Sequence, residues 1–370
     1  MARPEDLLDA LEDEVGLLVR LGLRARLPGA RLVDGRRVAG MTTATSVFVS
    51  VPGGRDVLQV REHDVPAPAA SEVQVELAAA GVNFIDVYKR QGVYPVPTPF
   101  VLGEEGAGTV VAVGSEVSGL AVGDRVAWCQ SPGSMSTLTN KPADKVVPVP
   151  DGVDLDVAAA AMLQGLTAHY LVTSTYAVRD GEVALVHAAA GGVGQLLVQM
   201  VTARGATVVA TAGTDEKLEI ARALGAQHLI NYSTISSSDD LAVAVRSAAG
   251  RGVDVAYDGV GKATFDASLA SLRPRGMMVL FGGASGQVPP FDLQRLNAAG
   301  SLFVTRPTLA HYVAERDEFE WRAREVLGAI ADGSLAIDIG GRYPLTEAAS
   351  AYAALEGRHT TGKLIVVPGA

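Results

Sequence analysis

The stretch HAAAGGVGQLLVQMV, residues 187–201, decides the fold of this 370-residue chain. Its first half is rich in glycine, its second half is apolar, and it contains no acidic residue, lysine or arginine. Such a run suits a phosphate-binding turn, a membrane segment, or a tightly packed corner between a strand and a helix. A membrane span requires about 20 consecutive apolar residues, and His187, Gln195 and Gln199 interrupt this run, so we expect no membrane span.

The sequence around this stretch alternates between strand-like and helix-like runs. The runs VALVHAA, TVVATAG, HLIN, VDVAYDGV and GMMVLFGG are apolar and predict strands. The runs GQLLVQMVTARG, DEKLEIARALG, DDLAVAVRSAA and ATFDASLASL predict helices, and DVAAAAMLQGLTAHYLVTSTY precedes them as a longer predicted helix. This alternation predicts right-handed βαβ units and an α/β fold with a doubly wound parallel sheet.

The chain before Asp151 has a different character. The runs SVFVSV, EVQVELAAAGV and GAGTVVAVGSEV lie between glycine and proline breaks and predict short strands in a β-rich unit that begins near Ser46. Residues 1–40 combine leucine at helical spacing with acidic residues, and all their basic residues are arginine. We interpret residues 1–40 as an appendage, or as translated upstream sequence before a start at Met41.

The glycines at the predicted strand-to-helix junction favour a phosphate-binding turn. Gly191, Gly192 and Gly194 permit a tight turn and let backbone amides approach a pyrophosphate at a helix N-terminus. Ala189 replaces the first glycine of the usual dinucleotide-binding pattern, and packing alone is the alternative explanation for the glycines. The run opens the first βαβ unit of the sheet, and this context favours a dinucleotide site.

The end of the next predicted strand bears on the choice of cofactor. An NAD site commonly has Asp or Glu there, whereas this strand ends in Gly213 and Thr214, with Lys217 one turn into the following helix. A cation at this position suits the 2′-phosphate of NADPH, although a solvated helix lysine is the alternative. Asp215 and Glu216 lie nearby, where they can cap the helix and face solvent.

Composition limits the partners and the chemistry. The formal net charge of −10, from 31 basic and 41 acidic residues, gives no support to nucleic acid or an anionic membrane as the main partner. Cys129 is the only cysteine, which excludes an internal disulfide and a zinc site of several thiolates, and a reducing cytoplasm fits it best. We interpret Cys129 as a buried apolar residue and His187 as a core or cofactor-side packing residue.

Several separated motifs together resemble those of one family. They are NFIDVYKRQGVYPVPTPFVLGEEGAGTVVAVGSEVSGLAVGDRVAW, LQGLTAHYL, HAAAGGVGQLLVQ, VAYDGVG, VTRPTL and YPLTEAASAYAALEGRHTTGKLIV. From about Ser46 to the C-terminus, the chain resembles the NADPH:quinone oxidoreductases, the ζ-crystallin-like branch of the medium-chain dehydrogenase/reductase superfamily.

The resemblance implies a GroES-like β-rich catalytic domain and a Rossmann domain that binds NADPH. The catalytic domain would comprise residues 41–165 and 307–370, and the Rossmann domain would comprise residues 166–306, with residues 1–40 as an N-terminal extension. The resemblance also implies a homodimer through the edge strand near Ser301–Arg306, because pairing with a twin strand covers an exposed edge.

The resemblance carries over site residues one at a time. Asn83, Tyr88 and Tyr94 match cleft positions beside the nicotinamide, where Tyr94 would hydrogen-bond a developing oxyanion or relay a proton. The alternative is that these tyrosines only wall the cleft. The matched cofactor-binding positions are Gln164, Thr167, Gly191, Gly192, Val193, Gly213, Lys217, Tyr232, Phe281, Gly282, Gly283 and Arg358.

The residues at the zinc-ligand positions differ from those that the zinc-dependent alcohol dehydrogenases of the same superfamily have there. Those enzymes need thiolate and imidazole ligands. In this sequence Asp86 stands near the cysteine position and Glu104 stands at the histidine position, so we expect no metal site.

The expected activity is metal-free, NADPH-dependent reduction of a quinone by hydride or electron transfer from the nicotinamide. A 2-alkenal, enone or enoyl-thioester reductase is the alternative enzyme. The alternative of another class is a non-catalytic NADPH-binding protein, crystallin-like or redox-sensing.

Overall fold

The structure is a computed structural model that describes residues 32–33, 36–37, 41–357 and 360–369. Residues 43–370 form one compact unit. In the preceding unit, β1 (Leu32–Val33) and β2 (Arg36–Arg37) form an antiparallel pair. Residues 1–31, which include the leucines at helical spacing, lie outside the described residues.

The first half of the large unit is rich in short strands, as the sequence predicted, and the structure pairs them antiparallel. Its strands are β3 (Met41–Val49), β4 (Leu58–Pro66), β5 (Glu72–Gly81), β6 (Phe100–Val101), β7 (Glu105–Val113), β8 (Arg125–Cys129), β9 (Leu138–Pro142) and β10 (Val147–Pro148). Helix α1 (Phe84–Arg90) follows β5, and short 3₁₀ turns occur at Arg55–Val57 and Ala143–Lys145.

The second half begins with a long helix and continues as alternating strands and helices. The helices are α2 (Leu155–Tyr170, continued by a π-helix over Leu171–Thr175), α3 (Gly192–Thr202), α4 (Asp215–Ala223), α5 (Ser238–Ala249), α6 (Phe265–Ser271) and α7 (Gln294–Ala298). The strands are β11 (Val183–Val186), β12 (Thr207–Ala212), β13 (His228–Asn231), β14 (Val253–Asp258), β15 (Leu272–Leu280) and β16 (Phe303–Thr305), and a 3₁₀ turn covers Tyr232–Thr234.

These six strands form one parallel sheet in the order β13-β12-β11-β14-β15-β16. The chain starts in the middle at β11, builds outward to β13, and then crosses back to β14. This is the doubly wound arrangement, and it confirms the predicted fold class. Ligands bind such sheets at the carboxyl ends of the strands, where the direction of winding reverses between β11 and β14.

The last segment of the chain joins the antiparallel sheet. It contains α8 (Leu309–Tyr312), α9 (Arg316–Ala331), β17 (Ile339–Pro344), a 3₁₀ turn (Leu345–Glu347), α10 (Ala348–Glu356) and β18 (Lys363–Val367). Strand β18 pairs with β5, so the seven-stranded sheet has the order β10-β8-β7-β5-β18-β17, with β9 also on β5. A separate three-stranded sheet has the strand order β4-β3-β6.

Several element ends differ from the sequence prediction, among them the end of the first parallel strand and the end of the long helix. The first parallel strand ends at Val186 instead of Ala189, because Ala188 adopts a left-handed conformation with φ of 50° and turns the chain. The long predicted helix changes to π-helical hydrogen bonding at Leu171 and ends at Thr175.

Helix α2 and its π-helical extension lie in the hydrophobic core. Leu155–Thr175 is long and apolar enough to cross a membrane, but 72% of its most apolar window is buried inside the protein. Ala158, Ala161 and Leu166 belong to a hydrophobic core cluster that also contains residues of both large sheets. The stretch 187–201 directly follows β11 and divides into a turn and α3, as expected of a strand-to-helix corner.

Candidate functional site: a dinucleotide cleft

The turn between β11 and α3 forms the floor of the site. Helix α3 begins at Gly192, directly after its N-cap residue Gly191. A Cβ atom on Gly194 would lie 2.2 Å from the carbonyl oxygen of Ala188 and 2.8 Å from the Cα atom of Ala189. Because both contacts are with backbone, only glycine fits at position 194 without movement of the turn. The close approach aims the helix N-terminus, with its unpaired backbone amides, at the cavity beside it.

A cavity of about 260 Å³ opens at the carboxyl ends of the parallel strands. Residues at and after the ends of β11, β12, β14 and β15 line one side, and the other side is lined by Val82 after β5, Phe84 at the start of α1 and Leu364 in β18. Many of the residues that the resemblance assigned to cofactor binding meet in this one space. They are Gln164, Gly191, Gly192, Val193, Gly213, Lys217, Tyr232 and Phe281.

One end of the cavity presents a cation and a phenol. Lys217 and Tyr232 line it together, and Tyr232 packs against the backbone of Gly213. The Thr214 hydroxyl caps α4 by accepting a hydrogen bond from the Lys217 backbone N–H at 3.3 Å. The Asp215 carboxylate accepts a hydrogen bond from Asn231 Nδ2 at 2.8 Å. Arg358, predicted for the same end, lies outside the described residues.

A directed hydrogen-bond network lies beneath the cavity. His187 is buried, with Nδ1 2.8 Å from Thr211 Oγ1 and Nε2 3.0 Å from Ser268 Oγ. Ser268 donates to Asp258 Oδ2 at 2.8 Å, since an ionised carboxylate only accepts. Ser268 Oγ therefore accepts from His187 Nε2–H, and Nδ1 accepts from Thr211. Burial lowers the pKa of His187 below its usual range, which agrees with this neutral ring.

The same network holds the loop after β14. Asp258 Oδ1 accepts hydrogen bonds from the backbone N–H groups of Val260 and Gly261, at 2.8 and 2.9 Å. Gly259 and Val260 line the cavity, so the network fixes part of its wall. The sequence interpretation of His187 was a core or cofactor-side packing residue; in the structure it is buried, lines the cavity, and has its ring nitrogens within hydrogen-bond distance of Thr211 and Ser268.

The three predicted cleft residues differ in accessibility. Asn83 is buried; its Nδ2 donates to Glu105 Oε1 at 2.6 Å and its Oδ1 accepts from Lys363 Nζ at 2.7 Å. The Tyr88 and Tyr94 rings meet edge to face with centroids 5.7 Å apart, and Tyr94 is 39% exposed. Tyr88 also lies 6.3 Å from the Phe84 ring, so an aromatic row runs outward from the cavity wall.

Some predicted cofactor residues lie beside the cavity lining and not in it. The Thr167 hydroxyl donates to the Leu163 carbonyl oxygen at 2.7 Å, within α2. Gly282 lies against the backbone of Gly259, and Gly283 approaches Gly286. Gly282 directly follows Phe281 and contacts the backbone of Gly259, and both of those residues line the cavity.

The two positions that correspond to zinc ligands have other partners. Asp86 Oδ2 accepts hydrogen bonds from the Asn83 backbone N–H at 3.0 Å and from the Tyr352 hydroxyl at 2.9 Å. Burial, with the nearby charge of Glu104, raises the pKa of Asp86 to about 7. Glu104 pairs with Lys89 at 2.5 Å. Among the residues that the structure describes, no group of three or more His, Cys, Asp or Glu side chains could hold a metal ion.

Cys129 is buried, as interpreted from the sequence. Burial raises the pKa of its thiol well above the usual range, so the thiol is a poor nucleophile.

Sequence reasoning missed the contribution of the antiparallel sheet. Val82 and Leu364 line the cavity, and behind them Glu105 pairs with Lys363. A signal existed for both charged residues: each stands in or beside an apolar strand segment, where an ionised side chain must have a partner. The sequence does not say which partner it is.

These features define a class: a two-sheet, dinucleotide-binding oxidoreductase of the medium-chain dehydrogenase/reductase type. Residues 69–178 match the alcohol dehydrogenase GroES-like domain, and residues 192–321 match the zinc-binding dehydrogenase family. A quinone oxidoreductase of Pseudomonas aeruginosa is 44% identical over 85% of this chain and 97% of its own length. The chain belongs to the quinone oxidoreductase family.

Two further relatives are informative. The crystal structure of Escherichia coli quinone oxidoreductase complexed with NADPH is 41% identical and has a TM-score of 0.84, covering 88% of this chain and all of that one. A 2-haloacrylate reductase of a Burkholderia species is 42% identical over 86% of this chain and 97% of its own length.

The turn geometry predicts the effect of one methyl group. Gly194→Ala should weaken NADPH binding about tenfold or more, because the methyl group would displace the backbone at the start of α3. Titration of the protein with NADPH, followed by fluorescence, measures this change. Gly328→Ala in α9 is the matched control: no atom lies within 4 Å of the added Cβ, so binding should not change. Unchanged affinity in Gly194→Ala would contradict the proposed turn.

Proposed function

We propose that this protein is an NADPH-dependent quinone reductase. The observation that carries the proposal is the cavity at the switch point of the parallel sheet, which joins a glycine turn at a helix N-terminus to a cation and a phenol. Quinone oxidoreductases at over 40% identity along most of the chain support the same activity.

The residues of the cavity fit NADPH. Gly191, Gly192 and Val193 at the start of α3 would hold the pyrophosphate, because backbone amides there favour an anion. Lys217 and Tyr232 would hold the 2′-phosphate, to which an ammonium and a hydroxyl can donate. NADPH supplies the reducing equivalents from its nicotinamide when bound, and the protein orients the reactants and excludes water.

We assign the acceptor side of the cleft to Tyr88 and Tyr94. Their aromatic row continues from Phe84 in the cavity wall to the exposed Tyr94, which suits a flat quinone ring. In this assignment the Tyr94 hydroxyl donates a hydrogen bond to the oxygen on which charge develops. Asn83 acts from behind the wall, because its amide already bonds to Glu105 and Lys363.

The parallel sheet and its helices, residues 166–306, would form the NADPH-binding domain, and residues 41–165 with 307–370 the catalytic domain. The enzyme would work without zinc, since Glu104 pairs with Lys89 and Asp86 with Tyr352. The single buried cysteine is compatible with a cytoplasmic location.

An activated alkene is the second candidate acceptor. The 2-haloacrylate reductase relative, named for an unsaturated carboxylate, favours this candidate. The rival from another class is an NADPH-binding protein without turnover. Steady-state rates with NADPH against quinones, enones and enoyl thioesters test all three. The highest catalytic efficiency with quinones would support the proposal. A higher efficiency with an enone or enoyl thioester would make an activated alkene the substrate in place of a quinone. Tight NADPH binding with no turnover on any acceptor would overturn the enzymatic function.

Lys217→Met should separate the two nicotinamide cofactors. Loss of one charge-assisted hydrogen bond of about 1.5–3 kcal/mol should raise the Kd for NADPH about tenfold or more. The Kd for NADH, which has no 2′-phosphate, should stay unchanged. Arg222→Met is the matched control, because Arg222 lies on the same helix and is exposed beside Glu219. Comparative titration measures both. Equal weakening of NADPH and NADH binding by Lys217→Met would contradict a 2′-phosphate site.

Tyr94→Phe tests the assigned acceptor side. Removal of a hydroxyl that donates to a developing oxyanion should lower kcat/KM for quinones about tenfold or more, with NADPH affinity unchanged. Tyr176→Phe removes a hydroxyl that bonds to Glu182, and it should not alter kcat/KM. If Tyr94→Phe keeps full efficiency with every accepted substrate, the tyrosine only walls the cleft.

We also propose a homodimer through the outer edge of the parallel sheet. Strand β16 ends the sheet among the described strands, and Phe303 on it is 56% exposed. Phe303→Asp should convert the dimer to a monomer, because it would bury a charge at the paired edge. Light scattering after gel filtration measures the mass. Val243→Asp, at an exposed position on α5, should leave the dimer intact. A monomeric wild-type protein would refute the proposed dimer.

A further inference from the structure

The carboxylate of Glu105, at the start of β7 in the antiparallel sheet, is completely buried. Its Oε1 accepts hydrogen bonds from Asn83 Nδ2, at 2.6 Å, and from the ammonium group of Lys363. Its Oε2 accepts a hydrogen bond from the backbone N–H of Leu163, also at 2.6 Å. One side chain on β7 therefore contacts three separate segments of the chain.

Each of these segments supplies neighbouring residues to the cavity wall. Asn83 stands between Val82 and Phe84, and Lys363 stands between Gly362 and Leu364; all four flanking residues line the cavity. Leu163 directly precedes Gln164, which also lines it.

The contact through α2 extends to the phosphate-binding turn. The Gln164 amide occupies the space that a side chain on Gly192 would need, because a Cβ atom there would lie 1.9 Å from Gln164 Oε1. Glu105 is thus connected, through Leu163 and Gln164, to the first residue of α3.

The chain leaves room for this carboxylate. A Cβ atom on Gly81, at the end of β5, would lie 2.1 Å from Glu105 Oε1. The Cδ and Cγ atoms of Glu105 would lie at 2.5 and 2.7 Å, so a methyl group at position 81 would displace the whole Glu105 side chain and leave all charges present.

Removal of two charges from water costs about as much free energy as their mutual attraction returns. The Glu105 and Lys363 pair is therefore a weak source of net stability, although loss of either partner alone would be costly. Its distinctive property is geometric, because three donors from distant segments converge on one carboxylate.

We propose that Glu105 is a positioning residue of the cofactor site, which holds three walls of the cavity in the arrangement that binds NADPH. Lys363 compensates its charge. The inference rests on the proposed function only for the identity of the cofactor.

The test compares two buried carboxylates of similar construction. Glu105→Gln keeps the size of the side chain but cannot accept all three hydrogen bonds. Asp254→Asn is the control, because Asp254 accepts from Arg251, from Arg273 and from the Val183 backbone N–H, at the end of the parallel sheet far from the cavity. Thermal unfolding of the protein without cofactor gives Tm, and fluorescence titration gives the Kd for NADPH.

The expected result is that both variants have a lower Tm and that only Glu105→Gln raises the Kd for NADPH, by about tenfold or more. A Kd for Glu105→Gln equal to that of wild type, with a lowered Tm, would overturn the proposal and leave Glu105 a purely structural role.

Gly81→Ala provides the second variant if Glu105→Gln does not fold. It keeps every charge and displaces the carboxylate, so it should also raise the Kd for NADPH; unchanged affinity would overturn the proposal. The Kd measurement needs no electron acceptor. A wild-type protein that binds NADPH and reduces no quinone would refute the proposed function, and the comparison of the variants would still decide the role of Glu105.

Discussion

The approach of the Ala188 carbonyl oxygen to the first turn of α3 is the constraint on which the site depends. The contact leaves no room for a side chain at position 194, and it sets the angle at which the helix leaves the sheet. The helix N-terminus therefore points at the cavity. Gly191 also forms a bridge with Gly362, whose N–H donates to the Ala190 carbonyl oxygen at 3.2 Å. The turn thus connects the parallel sheet with the C-terminal segment.

Gly362 and Lys363 are neighbours in the chain but contact different parts of the structure around the cavity. Gly362 bridges to the turn, whereas Lys363 opens β18 and reaches the buried Glu105 on β7. Because side chains alternate along a strand, Lys363 points behind the wall that Leu364 helps to form. A cofactor in this cavity would touch residues of both sheets, so its binding and the arrangement of the sheets are coupled.

Much of the fold could be predicted because its signals are local. The run HLIN coincides with β13, and the alternation of strands and helices predicted the parallel sheet. The strand before the turn ended early, since the left-handed conformation of Ala188 is unusual for a residue with a side chain. Lys217 and Tyr232 meet at the cavity, as the resemblance implied, whereas Asn83 is withdrawn behind the wall.

The sequence by itself determined the doubly wound sheet, the glycine turn at its first helix and the absence of a multi-thiolate metal site, because these depend on periodicity, spacing and composition. Only the tertiary structure decided which residues face the cavity from the antiparallel sheet and which partners the Glu105 carboxylate has. The physical reason is distance along the chain. Glu105 and Lys363 are 258 residues apart, and no local pattern encodes the pairing of two charges that meet only after β7 and β18 have both paired with β5.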